Sequence, residues 1–178
     1  MFTKQSATGC ADTTPPTVSS ISPADGQTGV SASGSISVTF SKTMNYNSVT
    51  VNTDNTTCYG SLALSSDNFI TCVKMSSSYP ESTDNITFTL DPSLIMLYST
   101  TYKIRITTSV SDIAGNTMSS QNTQTNGFTT TDTIPITAGY AHSCFMMDNG
   151  SVKCWGSNAF GQLGLGDTNS RGDNSSEM

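Results

Sequence analysis

Between Ser35 and Met44 apolar and polar residues alternate, with Ile36, Val38 and Phe40 set apart by Ser37 and Thr39. A period of two is that of a strand with one face in a core and the other in water. Met44 follows the turn Ser41-Lys42-Thr43 and offers one more apolar side chain to the same core, so the stretch reads as the second, central strand of a β-sandwich. Ahead of it, Asp12-Thr13-Thr14-Pro15-Pro16 predicts an extended leader, because two prolines fix φ and remove donors. A first edge strand follows over Thr17 to Ser22, then a turn at Pro23-Ala24-Asp25-Gly26.

The pattern continues beyond Met44. Val49-Thr50-Val51 predicts the next strand, and Leu62-Ala63-Leu64 and Phe69-Ile70-Thr71-Cys72-Val73 predict a hairpin around the polar turn Ser65-Ser66-Asp67-Asn68. Ile86 to Leu90 alternates until Asp91-Pro92, after which Leu94 and Leu97, with Ile95, are expected to plug one end of the sandwich. Tyr102, Ile104 and Ile106 share one face of a strand, with the tyrosine at its entrance in the position of a tyrosine corner. Asp112-Ile113-Ala114-Gly115-Asn116 predicts a loop, and Gly127 to Thr130 the closing strand.

Composition narrows the function classes. Only 11% of the 178 residues are charged and the net charge is −6, so a phosphate backbone would be repelled, and nucleic acid is not an expected partner. No apolar run approaches the roughly 18 residues of a membrane span, and Met1 to Ser6 lacks the apolar core of an export signal. The five cysteines point to an oxidising compartment. Cys58 and Cys72 fall within one predicted hairpin and Cys144 and Cys154 within another, which leaves Cys10 over. Counting from a four-residue turn does not set Cys58 directly opposite Cys72, so Gly60 is assigned a bulge. A three-residue loop Asp148-Asn149-Gly150 sets Cys144 opposite Cys154, whereas a two-residue Asn149-Gly150 loop sets it opposite Trp155.

Candidate chemistry is sparse, and no catalytic set is expected. His142 and Cys144 share a strand face, but residues two apart on a strand stand too far apart for a nucleophile pair, and Cys144 has a better use in a disulfide. Zinc on His142, Cys144 and Cys154 lacks a fourth ligand. Gly161 to Gly166 lacks the strand-loop-helix setting of a phosphate loop, and Arg171-Gly172-Asp173 is a tripeptide that a loop rich in Gly, Asn and Asp produces cheaply. Asp12, Asp112 and Asn116 are oxygen donors that can converge near a domain junction. They make calcium a candidate there, although plain turn chemistry accounts for the same residues.

The leader, Ser22-Pro23-Ala24-Asp25-Gly26, Val38 to Met44, Tyr102 and Asp112 to Asn116, taken in order, resemble the bacterial Ig-like domains of S-layer and large surface proteins over residues 12–130. That resemblance implies a seven-stranded sandwich, used in tandem to extend or present other domains, with no catalytic residues. After a linker over residues 131–136, Ala138 to Cys144, Asp148 to Asn158 and Gly161 to Gly166 resemble one repeat of the regulator of chromosome condensation family. The family's fold is a β-propeller, which implies that residues 137–178 are one incomplete blade, a stapled hairpin that is not stable by itself and is disordered from Thr168.

The expected architecture is therefore all-β, with a leader over residues 1–11, an Ig-like antiparallel sandwich over 12–130 and a C-terminal hairpin. The expected role is a non-catalytic structural and presenting module of a bacterial surface or secreted protein, with neighbouring domains, and beyond them another surface protein, as partners. The alternative is a protein-binding module whose recognition face is a propeller completed by further repeats.

Overall fold

The computed structural model describes residues 11–131, 136–146 and 151–172. Cys10, Asp173 and the loop between Met146 and Ser151 lie outside the described residues. By its contacts the chain divides into two compact units, one from residues 1–27, 35–93 and 102–128 and the other from 28–34, 94–101 and 129–178.

The elements of the sandwich are β1 (Val18–Ser22), β2 (Ile36–Phe40), β3 (Leu62–Ser65), β4 (Thr87–Leu90), β5 (Thr101–Ile106), β6 (Asn122–Thr123) and β7 (Phe128–Thr129). One sheet runs β1-β2-β4 and the other β3-β5-β6, with β7 also paired to β5. The alternation of β2 places it at the centre of its sheet, with Ile36 opposite Leu90 and Val38 opposite Phe88. The same period in β5 sets Ile104 opposite Leu64 and Ile106 opposite Leu62. All these side chains are buried, so each sheet contributes one face to the core, and Phe40 at 2% exposure packs edge-on against Phe88 at 5.8 Å. Tyr102 is buried too and stacks on Phe128 at 5.9 Å.

Four expectations are corrected. The segment Phe69 to Val73 is not a strand: Asn68 and Phe69 have φ of 60° and 66°, outside the extended region, and Ile70 is 77% exposed. Side chains capture this backbone first, as Ser65 Oγ accepts the Phe69 N–H at 2.9 Å and Asp67 accepts those of Ile70 and Thr71. Val49 and Val51 are buried but the segment forms no regular strand: the Thr50 and Ser61 hydroxyls accept each other's backbone N–H groups, so only part of a ladder remains, with the Thr50 carbonyl accepting the Leu62 N–H. Leu94 and Leu97 do not plug the sandwich, being 60% and 47% exposed, while Met96 between them is buried and bonded by its N–H to Ala32. Gly60 serves close approach rather than a bulge, since a Cβ there would lie 2.7 Å from Val51 Cα.

The other unit carries a sheet in the order β10-β9-β8, made from β8 (Ile136–Ala138), β9 (His142–Met146) and β10 (Val152–Gly156). A third strand thus joins the expected hairpin, and its register sets Cys154 opposite Cys144, as the three-residue loop requires. Of the stretch expected to be disordered from Thr168, residues 168–172 are described and make specific bonds, Arg171 with the Gly156 backbone and Ser170 Oγ accepting the N–H of the buried Asn158, while residues 173–178 lie outside the described residues.

Two substitutions test this packing. Phe40→Ala should cost about 3–5 kcal/mol in urea denaturation, as for a fully buried aromatic, and a loss under about 1 kcal/mol would contradict its place in the core. Gly60→Ala should cost about 1–3 kcal/mol through overpacking, and a neutral result would mean that the Val51 backbone gives way freely.

Candidate functional site

A polar cluster built on three separate segments lies where the leader meets the sandwich. β2 ends at Phe40, and the turn that follows carries Lys42 out of the core with its stem half-buried. Its ammonium donates to Asp12 Oδ2 at 2.6 Å, to the Thr14 carbonyl at 2.6 Å and to Asp112 Oδ2 at 3.3 Å. Asp112 is 1% exposed and organises its own loop, accepting the Ala114 and Asn116 N–H groups on Oδ1, each at 2.9 Å. Asn116 Nδ2 donates to Asp112 Oδ2 at 3.0 Å and to the Asp12 carbonyl at 2.8 Å. One cation and one amide therefore tie leader, post-strand turn and loop together.

The charges are held in their ionised forms. The hydrogen bond from Asn116 is the largest influence on Asp112, and with the loop N–H groups and Lys42 it outweighs burial and holds the carboxyl at about 2. Asp12 is lowered, first by the hydrogen bond from Lys42 and then by the Thr14 N–H. Lys42 is raised, first by its hydrogen bond to Asp12. An amine held protonated beside carboxylates held ionised is neither a nucleophile nor a general acid–base pair.

Asp12, Asp112 and Asn116, the calcium candidates, are thus brought together, but around an ammonium. Lys42 holds the point where the two carboxylates converge, and Asn116 presents its NH₂ to that side. The donor set does not fit calcium, which takes six to eight oxygens. No group of three His, Cys, Asp or Glu among the described residues is arranged to hold a metal.

Two disulfides are present. Cys58 and Cys72 are bonded with their Cα atoms 5.1 Å apart, and Cys144 and Cys154 with theirs 4.0 Å apart. The second leaves no thiol for a nucleophile with His142 or for zinc. His142 is half-buried, and its ring covers Gly139, whose missing Cβ leaves the room. Lys42, which the alternating pattern shows only as part of a turn, turns out to be the centre of the cluster. The signal for it is scarcity, since one of only seven Lys and Arg sits directly after the central strand. Gln124 has no such signal: buried, it accepts the Ile104 N–H and donates to the Pro23 carbonyl.

A family model described as bacterial Ig-like domain matches residues 12–130. A second, described as regulator of chromosome condensation (RCC1) repeat, matches residues 136–162. No curated protein matches the chain. Solved structures that resemble it include the S-layer protein rSbsC, at 19% identity and a TM-score of 0.42, covering 78% of this chain and 19% of that one. Domains 1–6 of surface layer protein SbsC give 19% identity and a TM-score of 0.43, covering 78% of this chain and 19% of that one. The N-terminal part of the bacterial S-layer protein SbsC gives 17% and 0.44, covering 78% and 32%. The chain spans about a fifth to a third of these proteins, and TM-scores this low leave the fold argument with the family match.

The Lys42 cluster predicts a pH dependence of stability. Asp112 has an ordinary value of 3.8 and a folded value of about 2. A carboxyl lowered by folding contributes stability that is complete above its unfolded value and is lost as pH falls through the folded one. Urea midpoints should therefore fall from about pH 4 towards pH 2. Asp112→Asn should start lower at neutral pH and fall less steeply over that window; parallel curves for the two proteins would show that Asp112 is not what titrates.

Proposed function

The chain belongs to the bacterial Ig-like domain family, and from that premise we propose that it is a non-catalytic structural and presenting module of a bacterial cell-surface or secreted multidomain protein. In this reading residues 12–130 are the sandwich, 131–136 a linker and 137–178 a propeller-type repeat, and the partners are the neighbouring domains. The supporting observation is how its carboxylates are used. Asp12, Asp54, Asp84 and Asp167 are all lowered, and Asp67 and Asp112 lie at about 2. The largest influence on each is a hydrogen bond from this chain itself, from Lys42, Thr56, Thr87, Asn169, Thr71 and Asn116 respectively. General acid–base work at neutral pH calls for a carboxyl pushed upward. Here acidic groups are spent on fixing loops, which suits a spacer that must hold its shape.

Exposure outside the reducing cytoplasm is the natural setting for a module with two disulfides. A second reading, in which the C-terminal repeat contributes to a protein-binding propeller, is favoured by the apolar groove beside β10, about 610 Å³ in volume.

The test is a panel of ester, amide, glycoside and phosphoester substrates. No turnover is expected, and turnover abolished by His142→Ala would overturn the reading. The Cys58–Cys72 bridge, with a sequence separation of 14, should be part of what keeps such a module folded. Replacing both cysteines by alanine should lower stability by about 3 kcal/mol in urea, from the unfolded-chain entropy of a loop this size. An unchanged midpoint would assign the bridge no structural role.

A further inference from the structure

Two dipeptides prone to the same rearrangement lie against each other in the sandwich. Asp25-Gly26 follows β1, and Asn126-Gly127 joins β6 to β7. In such a pair the glycine nitrogen can attack the side-chain carbon of the residue before it, and with no Cβ on the glycine nothing hinders the approach. At Asn126 the attack forms a bond from Gly127 N to Asn126 Cγ, closing a five-membered succinimide, and breaks the Cγ–Nδ2 bond. The side-chain nitrogen leaves as ammonia, carrying the proton that Gly127 gives up. Water, the only co-reactant, then opens the ring at one carbonyl or the other, leaving aspartate or isoaspartate.

The fold cannot escape this chemistry by replacing the glycine. Gly127 has a φ of +76°, and a Cβ there would run into the Tyr102 carbonyl. Asn126 is exposed, so its amide can leave into solvent and water can reach the ring, whereas Gly127 is buried. What the structure withholds is the nucleophile. The Gly127 N–H donates to Asp25 Oδ1 at 2.7 Å, the Asn126 N–H to the same oxygen at 2.8 Å, and Asn126 Nδ2 to Asp25 Oδ2 at 3.3 Å. One carboxylate thus holds both reacting groups, and its negative charge opposes loss of the Gly127 proton. The restraint is mutual. The Gly26 N–H, whose nitrogen would attack Asp25, donates to the Gly127 carbonyl.

We propose that Asn126 is a self-modification site kept closed by Asp25, and that local opening of this contact converts it irreversibly to aspartate or isoaspartate. The product cannot restore the contact. It sets a second carboxylate against Asp25 where an NH₂ donor stood, and isoaspartate also adds a main-chain carbon between β6 and β7. The turn from Pro23 to Gly26 then loses its hold on the connection between those strands. Because the reaction needs the open form, its rate reports how often this part of the sandwich opens, even while the rest stays folded. The proposal requires neither the spacer nor the propeller reading.

The experiment incubates the intact chain in mildly alkaline buffer, with and without guanidinium chloride, and follows conversion at Asn126 by peptide mapping. Asn149-Gly150, the other Asn-Gly pair of the sequence, is the reference within each sample, and circular dichroism checks that each variant is folded. Conversion at Asn126 should be at least about tenfold slower in the folded chain than in denaturant, the weight of one hydrogen bond to a charged group. Asp25→Ala should remove most of that difference and leave the rate at Asn149 unchanged. Asp25→Asn, which keeps an acceptor but no charge, should fall between. Asn126→Asp, the product itself, should speed amide exchange at Gly26 and Gly127 more than Asn126→Ala does. Equal rates at Asn126 in the folded and denatured chain would overturn the proposal, as would a folded-state rate that neither Asp25 substitution changes. Should Asp25→Ala fail to fold, Asp25→Asn decides: a rate above that of the unsubstituted chain supports the proposal, and an equal rate overturns it.

Discussion

The register of β2 is the constraint on which the sandwich depends. Its neighbours β1 and β4 are fixed against it on either side, with Ile21 opposite Val38 and Phe88 opposite the same residue. A slip of one residue would turn Ile36, Val38 and Phe40 to water and bury Ser37 and Thr39 instead. The polar face adds its own check, since the Thr39 and Thr87 hydroxyls meet across the β2–β4 pair at 3.2 Å. Strands this short leave little redundancy, so the side chains specify the register.

A chain with so few charges uses them close to home. Asp67 gathers the Ile70 and Thr71 N–H groups, Asp84 those of Ile86 and Thr87, and Asp25 those of Asn126 and Gly127. Each carboxylate thereby replaces strand or turn bonds that a short loop cannot make for itself. Lys42 extends the same logic from backbone to leader. With Asp12, Thr14 and Asp112 all on one ammonium, the leader cannot swing without taking two of these three acceptors away from Lys42, and the Asp12 carbonyl away from Asn116. The direction from which the chain enters the sandwich is a property of the domain rather than of a loose linker.

Local bonding of this kind decides which elements are legible in the sequence. Ile36 to Phe40 and Tyr102 to Ile106 are readable because, among regular structures, only a strand with one buried face sustains a period of two over five or six residues. Phe69 to Val73 misleads because its β-formers carry a strand signal while Asp67 and Ser65 take the local N–H groups first. Propensity cannot register a hydrogen bond that pre-empts a ladder. Leu94 and Leu97 mislead for another reason: in an irregular segment the buried position is set by the path of the backbone, and Met96 is the residue turned inward. The convergence of Asp12, Asp112 and Asn116 is legible, but the cation at its centre comes from a turn 30 residues after Asp12, which no local pattern reports.

The C-terminal sheet obeys a different economy. Val152, Ile136 and Tyr140 are exposed, so apolar burial alone contributes little to holding three short strands together. The cross-strand disulfide compensates by occupying an opposed pair whose main-chain groups do not bond each other, where side chains approach closest. That choice has a consequence. Fixing Cys154 as a residue that does not bond β9 turns its N–H and carbonyl to the outer edge of β10. The Arg171 bridge at Gly156 puts that same edge to use within the chain itself, two residues beyond the crosslink.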